Sequence, residues 1–574
     1  MKKLFLFCSI FVSFSPTSFS ASCEEKWQSE GILAEQCANL SVITLTGDPV
    51  ARARRYGEYL RQHEKTQVID YFSDKVFRSV EVPEIFQPLL HWSYNQWIRV
   101  WHRNTPPALG EELNAFAQGL QVDPILLKRA ISLPDTASAV MGKENQQMIP
   151  TLGCTSVAAE NTDGKFFYGR NLDFAGVNLW DQHPTILKIV PQDEKEWKHL
   201  VLGADGLLFG GITGVNEKGI TVAVHQNYTS DIGVSGIPML YLGELVLRSA
   251  ENLDQAIEIL DRHRPSVRWT LVVTDLTLGQ AVAVETSPNH FFVRWGQPEG
   301  FVQTNHLLGN REAEAISLGT KLNSLQRMKT AFELLLKNTD RLQTESIAEI
   351  LSFQQNPLGY FSAYADILKA HTIQTVIFSP EIESLGQMHL SSSEAPTAGG
   401  KYFRFSLDDL FGANPTSYQV VDLVKIPVEK RARQIEISQA FQAYFDQKNF
   451  DRAIAILRSH DTLASLLFQT SALFQLGRWE EAVALAERAN RDSKFLGEPL
   501  YIRQSVRWLQ LLSLYSLDRK VEARKLAEDL AEEQPINPRL NELVKRLKAG
   551  KGPKPRDFSL AFEFFSGDLG TRPQ

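Results

Sequence analysis

Gly153-Cys154-Thr155-Ser156, then Asp163-Gly164, then Gly169-Arg170-Asn171-Leu172-Asp173-Phe174 is the stretch on which the fold turns. Val157 to Glu160 and Phe166 to Asp173 are strand-like runs, and an Asp-Gly pair between two such runs is a hairpin signal. If Cys154 opens the first strand, the returning strand brings Arg170 and Asp173 back beside it. A thiol has a reference pKa near 8.5 and becomes a nucleophile at neutral pH only beside a cation. Arg170 can supply that charge, and Asp173 can hold Arg170 and accept a hydrogen bond from an amine. Taken alone, the same residues also read as a surface Arg–Asp pair next to a buried thiol.

Outward from this hairpin, strand signals continue. Ile212 to Val215 and Ile220 to His225 flank Asn216-Glu217-Lys218-Gly219. Thr270 to Thr274, Ala281 to Glu285 and Phe291 to Trp295 form a meander, and Thr372 to Phe378 pairs with Gln387 to Ser391. Amphipathic helices are expected at about Pro238 to Arg262 and Leu325 to Leu336. Strand blocks separated by helix blocks give an α+β layered domain over residues 154–430. The segment before it, 21–153, is expected to be mostly helical. Pro49 to Arg61 sorts into helical faces, and Asp123-Pro124 is a cap and first helical position. His91-Trp92, Tyr94, Trp97 and Trp101 have helical spacing and read as core. Residues 431–550 are helical again. Ala453, Ala482 and Ala523 each follow a comparable phrase, such as Gly477-Arg478-Trp479-Glu480-Glu481, as in degenerate tetratricopeptide-like repeats with a face for a protein partner. The tail, 551–574, is Lys/Pro-rich and then aromatic.

The composition agrees with a folded, multi-domain chain: 574 residues, 43% hydrophobic and 22% charged. A net charge of −7 lacks the basic excess of a nucleic-acid binder. Lys2 and Lys3 precede the apolar run Leu4 to Phe14, so residues 1–20 read as a secretory signal peptide. No later run is long enough to cross a bilayer. The mature protein is expected to be exported, periplasmic or secreted. Cys23 has two readings, a disulfide to Cys37 or a lipoprotein anchor in Ser20-Ala21-Ser22-Cys23. The disulfide is preferred because it gives Cys37 a role. Cys154 is then the odd thiol. No metal-ligand spacing is present and no cofactor is called for. Gly210-Gly211-Ile212-Thr213-Gly214 fails as a dinucleotide loop because a hairpin follows it.

Cys154-Thr155 followed by Gly-Arg-Asn-Leu-Asp-Phe resembles the N-terminal-nucleophile (Ntn) cysteine hydrolases of the choloylglycine hydrolase type and the related acyl-CoA:6-aminopenicillanic acid acyltransferases. Gly214-Val215-Asn216-Glu217-Lys218-Gly219 through Asn227-Tyr228, Thr304-Asn305, Ser324 with Arg327, and Thr372 to Pro380 match further family segments in order. Leu45-Thr46-Gly47-Asp48-Pro49 resembles the lead segment of the acyltransferase branch. The resemblance implies a four-layer αββα sandwich and self-cleavage between Gly153 and Cys154. It implies that Cys154 is the nucleophile and its freed α-amine the base. It further implies that Arg170 lowers the thiol pKa, Asp173 orients the amine, and Asn227 and Asn305 donate to the oxyanion, with Arg327 organising the site from behind. The substrate class implied is a non-peptide acyl amide. Two other readings stand beside it: an uncleaved thiol hydrolase with His225 or His306 as base, and a retired fold that binds a partner through its repeats.

Overall fold

The computed structural model describes residues 21–79, 85, 87–141, 153–174, 176–192, 195–297, 299–309, 318–355, 366–412, 416–493, 500–533, 535, 538–554 and 557–558. The signal-peptide reading of 1–20 and most of the tail lie outside these residues.

The chain opens with four strands, β1 (Ala21–Ser22), β2 (Glu24–Ser29), β3 (Ile32–Cys37) and β4 (Leu40–Gly47). Five helices follow: α1 (Pro49–Gln62), α2 (Gln67–Ser79), α3 (Gln87–Trp101), α4 (Pro107–Leu120) and α5 (Pro124–Met141). Next come β5 (Gly153–Glu160), β6 (Phe166–Asp173), β7 (Pro184–Pro191), β8 (His199–Ala204), β9 (Thr213–Asn216) and β10 (Ile220–Gln226). Helices α6 (Met239–Ser249) and α7 (Leu253–Arg262) precede β11 (Trp269–Asp275), β12 (Gln280–Thr286), β13 (Phe291–Trp295) and β14 (Phe301–Gln303). Then α8 (Leu318–Asn338) and α9 (Thr344–Leu351) lead to β15 (Thr372–Ser379), β16 (Gln387–Ser391), β17 (Tyr402–Ser406), α10 (Leu407–Phe411) and β18 (Ser417–Val421). The remaining elements among the described residues are helices: α11 (Val428–Phe445), α12 (Phe450–Leu457), α13 (Leu463–Gln475), α14 (Trp479–Arg491), α15 (Leu500–Ser516), α16 (Lys520–Glu532) and α17 (Pro538–Lys548).

Two sheets form the centre. One has eight strands in the order β1-β18-β17-β16-β15-β6-β5-β14, the other ten in the order β13-β12-β11-β10-β9-β8-β7-β4-β3-β2. Val42, Ile186, Leu200, Val215 and Val272 of the ten-stranded sheet share one core with Ala158, Tyr168, Val376, Phe378 and Leu390 of the eight-stranded sheet. Helices α8 and α9 pack on β5, β6, β14 and β15, and α6 and α7 on β9 to β12. The layers are therefore αββα. Because both faces are covered, β6, β10, β11 and β15 are buried at every residue and read as continuous apolar and small-polar runs.

The hairpin at Asp163-Gly164 forms as its sequence implies, with Gly164 in the left-handed region at φ +71°. The helical segment from 238 to 262 breaks at Ala250, and Asn252 caps α7 by accepting from the backbone N–H of Gln255.

The expectation of a helical lead segment is corrected for its first part. Residues 21–47 are strands: β3 and β4 pair antiparallel across a tight turn at Ala38, and β4 then pairs parallel with β7 from Ser41↔Thr185 to Gly47↔Pro191. Ile32, Ala34, Ile43 and Leu45 join the main core, whereas Cys37, Leu40 and Val42 face the core between the sheets. Long-range pairing of a short apolar run, invisible in a local window, decided this. Cys23 and Cys37 are joined in a disulfide at the point where the chain passes from one sheet to the other. The aromatic run of α3 is only half core: Tyr94 and Trp101 are buried, but Trp92 is 61% exposed. Among the described residues no helix is long and apolar enough to cross a membrane, and no cluster of His, Cys, Asp and Glu could hold a metal ion.

Candidate active site

Cys154 lies at the start of β5, opposite Leu172 in β6, with Gly153 opposite Asp173 and Ser156 opposite Arg170. The thiol is completely buried. Burial pushes its pKa up, and the Arg170 guanidinium is the main opposing influence, with Arg327 adding to it and Asp173 working against it. Arg170 Nη2 donates to Cys154 Sγ at 3.3 Å and to the Val224 carbonyl at 2.9 Å. Its Nη1 donates to the Ile212 carbonyl and to Thr213 Oγ1. The guanidinium thus reaches across from the eight-stranded to the ten-stranded sheet, and that anchoring fixes it against the sulfur.

The other polar atoms of Cys154 are held as well. Its backbone N–H donates to Asn305 Oδ1 at 3.0 Å, and its carbonyl accepts from Arg327 Nη1 at 2.8 Å. Arg327 also donates to Thr155 Oγ1 (2.9 Å), to Asn305 Oδ1 (2.8 Å) and, through Nε, to Asn323 Oδ1 (2.8 Å). Arg327, expected behind the site, contacts Cys154 directly. Asn323 sits one helical turn before Arg327 on α8, an i, i+4 spacing that could have marked it in the sequence.

Asn305 turns its oxygen, not its NH2, toward Cys154. Two donors converge on Oδ1 while Nδ2 donates to the Gln226 carbonyl at 3.2 Å, a network that assigns the amide unambiguously. Asn227 Oδ1 accepts from Thr270 at 2.7 Å, and its NH2 makes only a long contact, 3.5 Å, to the Asn305 carbonyl. Asn227 is fully buried, so its glycosylation sequon cannot be used in the folded chain.

Asp173 closes the other side. Thr372 Oγ1 donates to Asp173 Oδ1 at 2.7 Å, and a Cβ placed on Gly153 would stand 2.8 Å from Asp173 Oδ2. The residue before Cys154 must therefore be glycine for the carboxylate to sit where it does. Thr372 and Thr213 were not singled out as site residues; both act across long sequence separations and carry no local signal.

His225 and His306 are engaged elsewhere. His225 Nε2 lies 2.8 Å from Ser156 Oγ, and burial first, then Arg170 and Arg327, hold its pKa well below the usual range, so it stays neutral. His306 Nδ1 lies 2.8 Å from Ser324 Oγ.

Next to this cluster is a partly open apolar cavity of about 70 Å³. Its walls come from β6 and the loop after it (Leu172, Phe174, Trp180), from the 206–212 segment, and from the lead helices α2, α4 and α5. Leu172 is the register partner of Cys154, and Ile212 supplies a carbonyl that holds Arg170.

The αββα sandwich, with a cysteine at the head of an inner strand whose sulfur, nitrogen and carbonyl are each held by a different side chain, has the architecture of the Ntn-hydrolase fold. Residues 158–385 match the family model described as acyl-coenzyme A:6-aminopenicillanic acid acyl-transferase, and this region is similar to that family. The match begins just beyond Cys154 and ends before the C-terminal helices. A search of the curated proteins finds no match. Among solved structures, the chain is similar to a Caenorhabditis elegans N-acylethanolamine-hydrolyzing acid amidase ortholog, with 18% identity over 40% of this chain and 94% of that one and a TM-score of 0.29. It is also similar to a mutant conjugated bile acid hydrolase from Clostridium perfringens, with 17% identity over 48% of this chain and 99% of that one and a TM-score of 0.32.

Proposed function

We propose that the chain is an exported, self-processing cysteine amidase or acyltransferase that takes the acyl group of a non-peptide amide onto Cys154. The observation that carries this reading is the separate restraint of the three polar atoms of one residue: sulfur by Arg170, nitrogen by Asn305, carbonyl by Arg327. Any buried residue needs partners for its N–H and carbonyl, but a merely structural thiol needs no guanidinium on its sulfur.

In processing, Cys154 Sγ loses its proton as it bonds to the Gly153 carbonyl carbon. The C–N bond then breaks and the nitrogen takes up a proton to leave as an amine. Water hydrolyses the resulting thioester to a Gly153 carboxylate and a free thiol. Asp173 stands where it can accept from the new amine, and Asn305 Oδ1 already accepts from the same nitrogen. The freed amine, with a reference pKa of about 7.7–8.0, then serves as base for the thiol. In turnover the substrate carbonyl is attacked by sulfur, the amine leaves with a proton, and water or an acceptor amine takes the acyl group. Asn227, whose NH2 is weakly engaged, is the better placed of the two asparagines to donate to the oxyanion, and Asn305 serves the amine. One oxyanion donor is typically worth about 3 kcal/mol.

The apolar cavity suits an aliphatic or aromatic acyl group, and the lead helices in its wall support retention of the lead segment after cleavage. The Cys23–Cys37 disulfide supports an oxidising, extracytoplasmic location. The test is intact-mass analysis of the purified chain with a screen of N-acyl amides. The expected products are a fragment beginning at Cys154 and amidase activity that Cys154→Ala abolishes along with cleavage. Full activity in a chain whose Gly153–Cys154 bond is intact would overturn the mechanism.

A further inference from the structure

The C-terminal helices lie outside the family match, yet their first member, α11, contacts two segments that carry cavity walls. At its end the Asp446 carboxylate joins two distant parts of the chain: Tyr71 in α2 donates its hydroxyl to Oδ1 at 2.5 Å, and the Gly176 backbone N–H donates to Oδ2 at 3.3 Å. One turn earlier, Gln442 Oε1 accepts from Asn178 Nδ2 at 2.8 Å. The two segments clamped in this way carry the aromatic end wall of the cavity. Phe72, next to Tyr71, stacks on Phe174 with ring centroids 5.5 Å apart and planes 4° apart, and meets Trp180 edge-on at 6.0 Å. All three rings line the cavity.

The α2 segment reaches this point from the lead and the 174–180 segment from the end of β6. Their packing is therefore between two chain regions that no covalent bond would join directly once Gly153–Cys154 is cut. We propose that Asp446 is a specificity-positioning residue: by fixing Tyr71 and Gly176 on one carboxylate, it sets the depth of the acyl cavity and hence the selectivity for long over short acyl groups. This rests on the reading of the cavity as the acyl site.

The test uses the full chain with Asp446→Ala, Asp446→Asn and Tyr71→Phe, the last removing one hydroxyl and keeping the ring. Kinetics on N-acetyl and N-dodecanoyl amides should show the dodecanoyl/acetyl ratio of kcat/KM falling at least fivefold, through KM of the long substrate rather than through kcat. In parallel, dodecanoate binding is read by tryptophan fluorescence in the Cys154→Ala background, where catalysis plays no part. Its Kd should rise at least fivefold on Asp446→Ala and on Tyr71→Phe. A ratio and a Kd both within twofold of the parent, or an equal loss for both chain lengths, would overturn the proposal. So would failure of the parent chain to bind dodecanoate. If the parent binds dodecanoate but turns over no amide, the amidase reading fails alone and the Kd values still decide the role of Asp446.

Discussion

Asp135 offers a prediction whose size can be worked out. It is fully buried on α5, where Oδ1 accepts from Trp269 Nε1 at 2.9 Å and Oδ2 from the Met239 backbone N–H at 3.2 Å. It thus ties a lead helix to β11 and to the start of α6. Burial outweighs both hydrogen bonds and raises its pKa from 3.8 to about 7. The folded chain therefore holds this proton more tightly than the unfolded chain. Below pH 3.8 both states are protonated and the native preference is intact. As pH rises toward 7 the unfolded state ionises first, and the native state loses about 4 kcal/mol at 1.36 kcal/mol per unit. Asparagine does not titrate, and because its NH2 cannot accept, one of the two donors loses its partner at a cost that does not vary with pH. The stability of Asp135→Asn relative to the parent should therefore rise by about 4 kcal/mol between pH 4 and pH 8, on top of that constant cost. The buried histidines His102 and His389, held down to about 3 and about 4, impose an opposite trend on both chains, and it cancels in the difference. The assay is urea unfolding from pH 4 to 8, followed by tryptophan fluorescence, in the uncleavable Cys154→Ala background. A difference that changes by less than about 1 kcal/mol over that range would refute the reasoning.

Gly153→Ala places a methyl 2.8 Å from Asp173 Oδ2, so cleavage should slow at least tenfold by intact mass, while Cys154→Ala should not cleave at all. Arg170→Gln removes the cation that opposes burial of the thiol, so the kinetic pKa of Cys154 should move to higher pH and kcat/KM should fall by about 10²-fold in a pH–rate profile. Glu112, on lead helix α4, receives both Nη atoms of the buried Arg248 of α6 at 2.5 and 2.7 Å. Glu112→Ala removes the two-point partner of Arg248 and leaves it Glu244 and Glu196, at a cost of about 1–3 kcal/mol, and the cleaved lead should then be held less tightly on gel filtration than the parent's.

Much of the site was legible because it is local. Cys154, Arg170 and Asp173 sit on one hairpin, where a two-residue period and an Asp-Gly turn set which residues meet. The sequence could name Asn305 and Arg327 as candidates, but it could not say which end of the Asn305 amide faces Cys154. That orientation depends on Arg327 and Gln226, brought in from α8 and β10. Residues 21–47 escaped for a related reason. Ile43 and Leu45 become strand residues by pairing with β7 far along the chain, and local propensity is weaker than that pairing.

By itself the sequence determined the hairpin, the alternation of strand and helix blocks beyond Cys154, and which cysteine is left unpaired, since these follow from spacing and side-chain type. Only the tertiary structure decided that Thr372 holds Asp173, that Thr213 and Ile212 anchor Arg170, and that α2 and α11 meet at Asp446. Each of those contacts joins elements tens to hundreds of residues apart. Which of the many buried polar groups satisfies which other is settled when the two sheets and their helical layers close on one another.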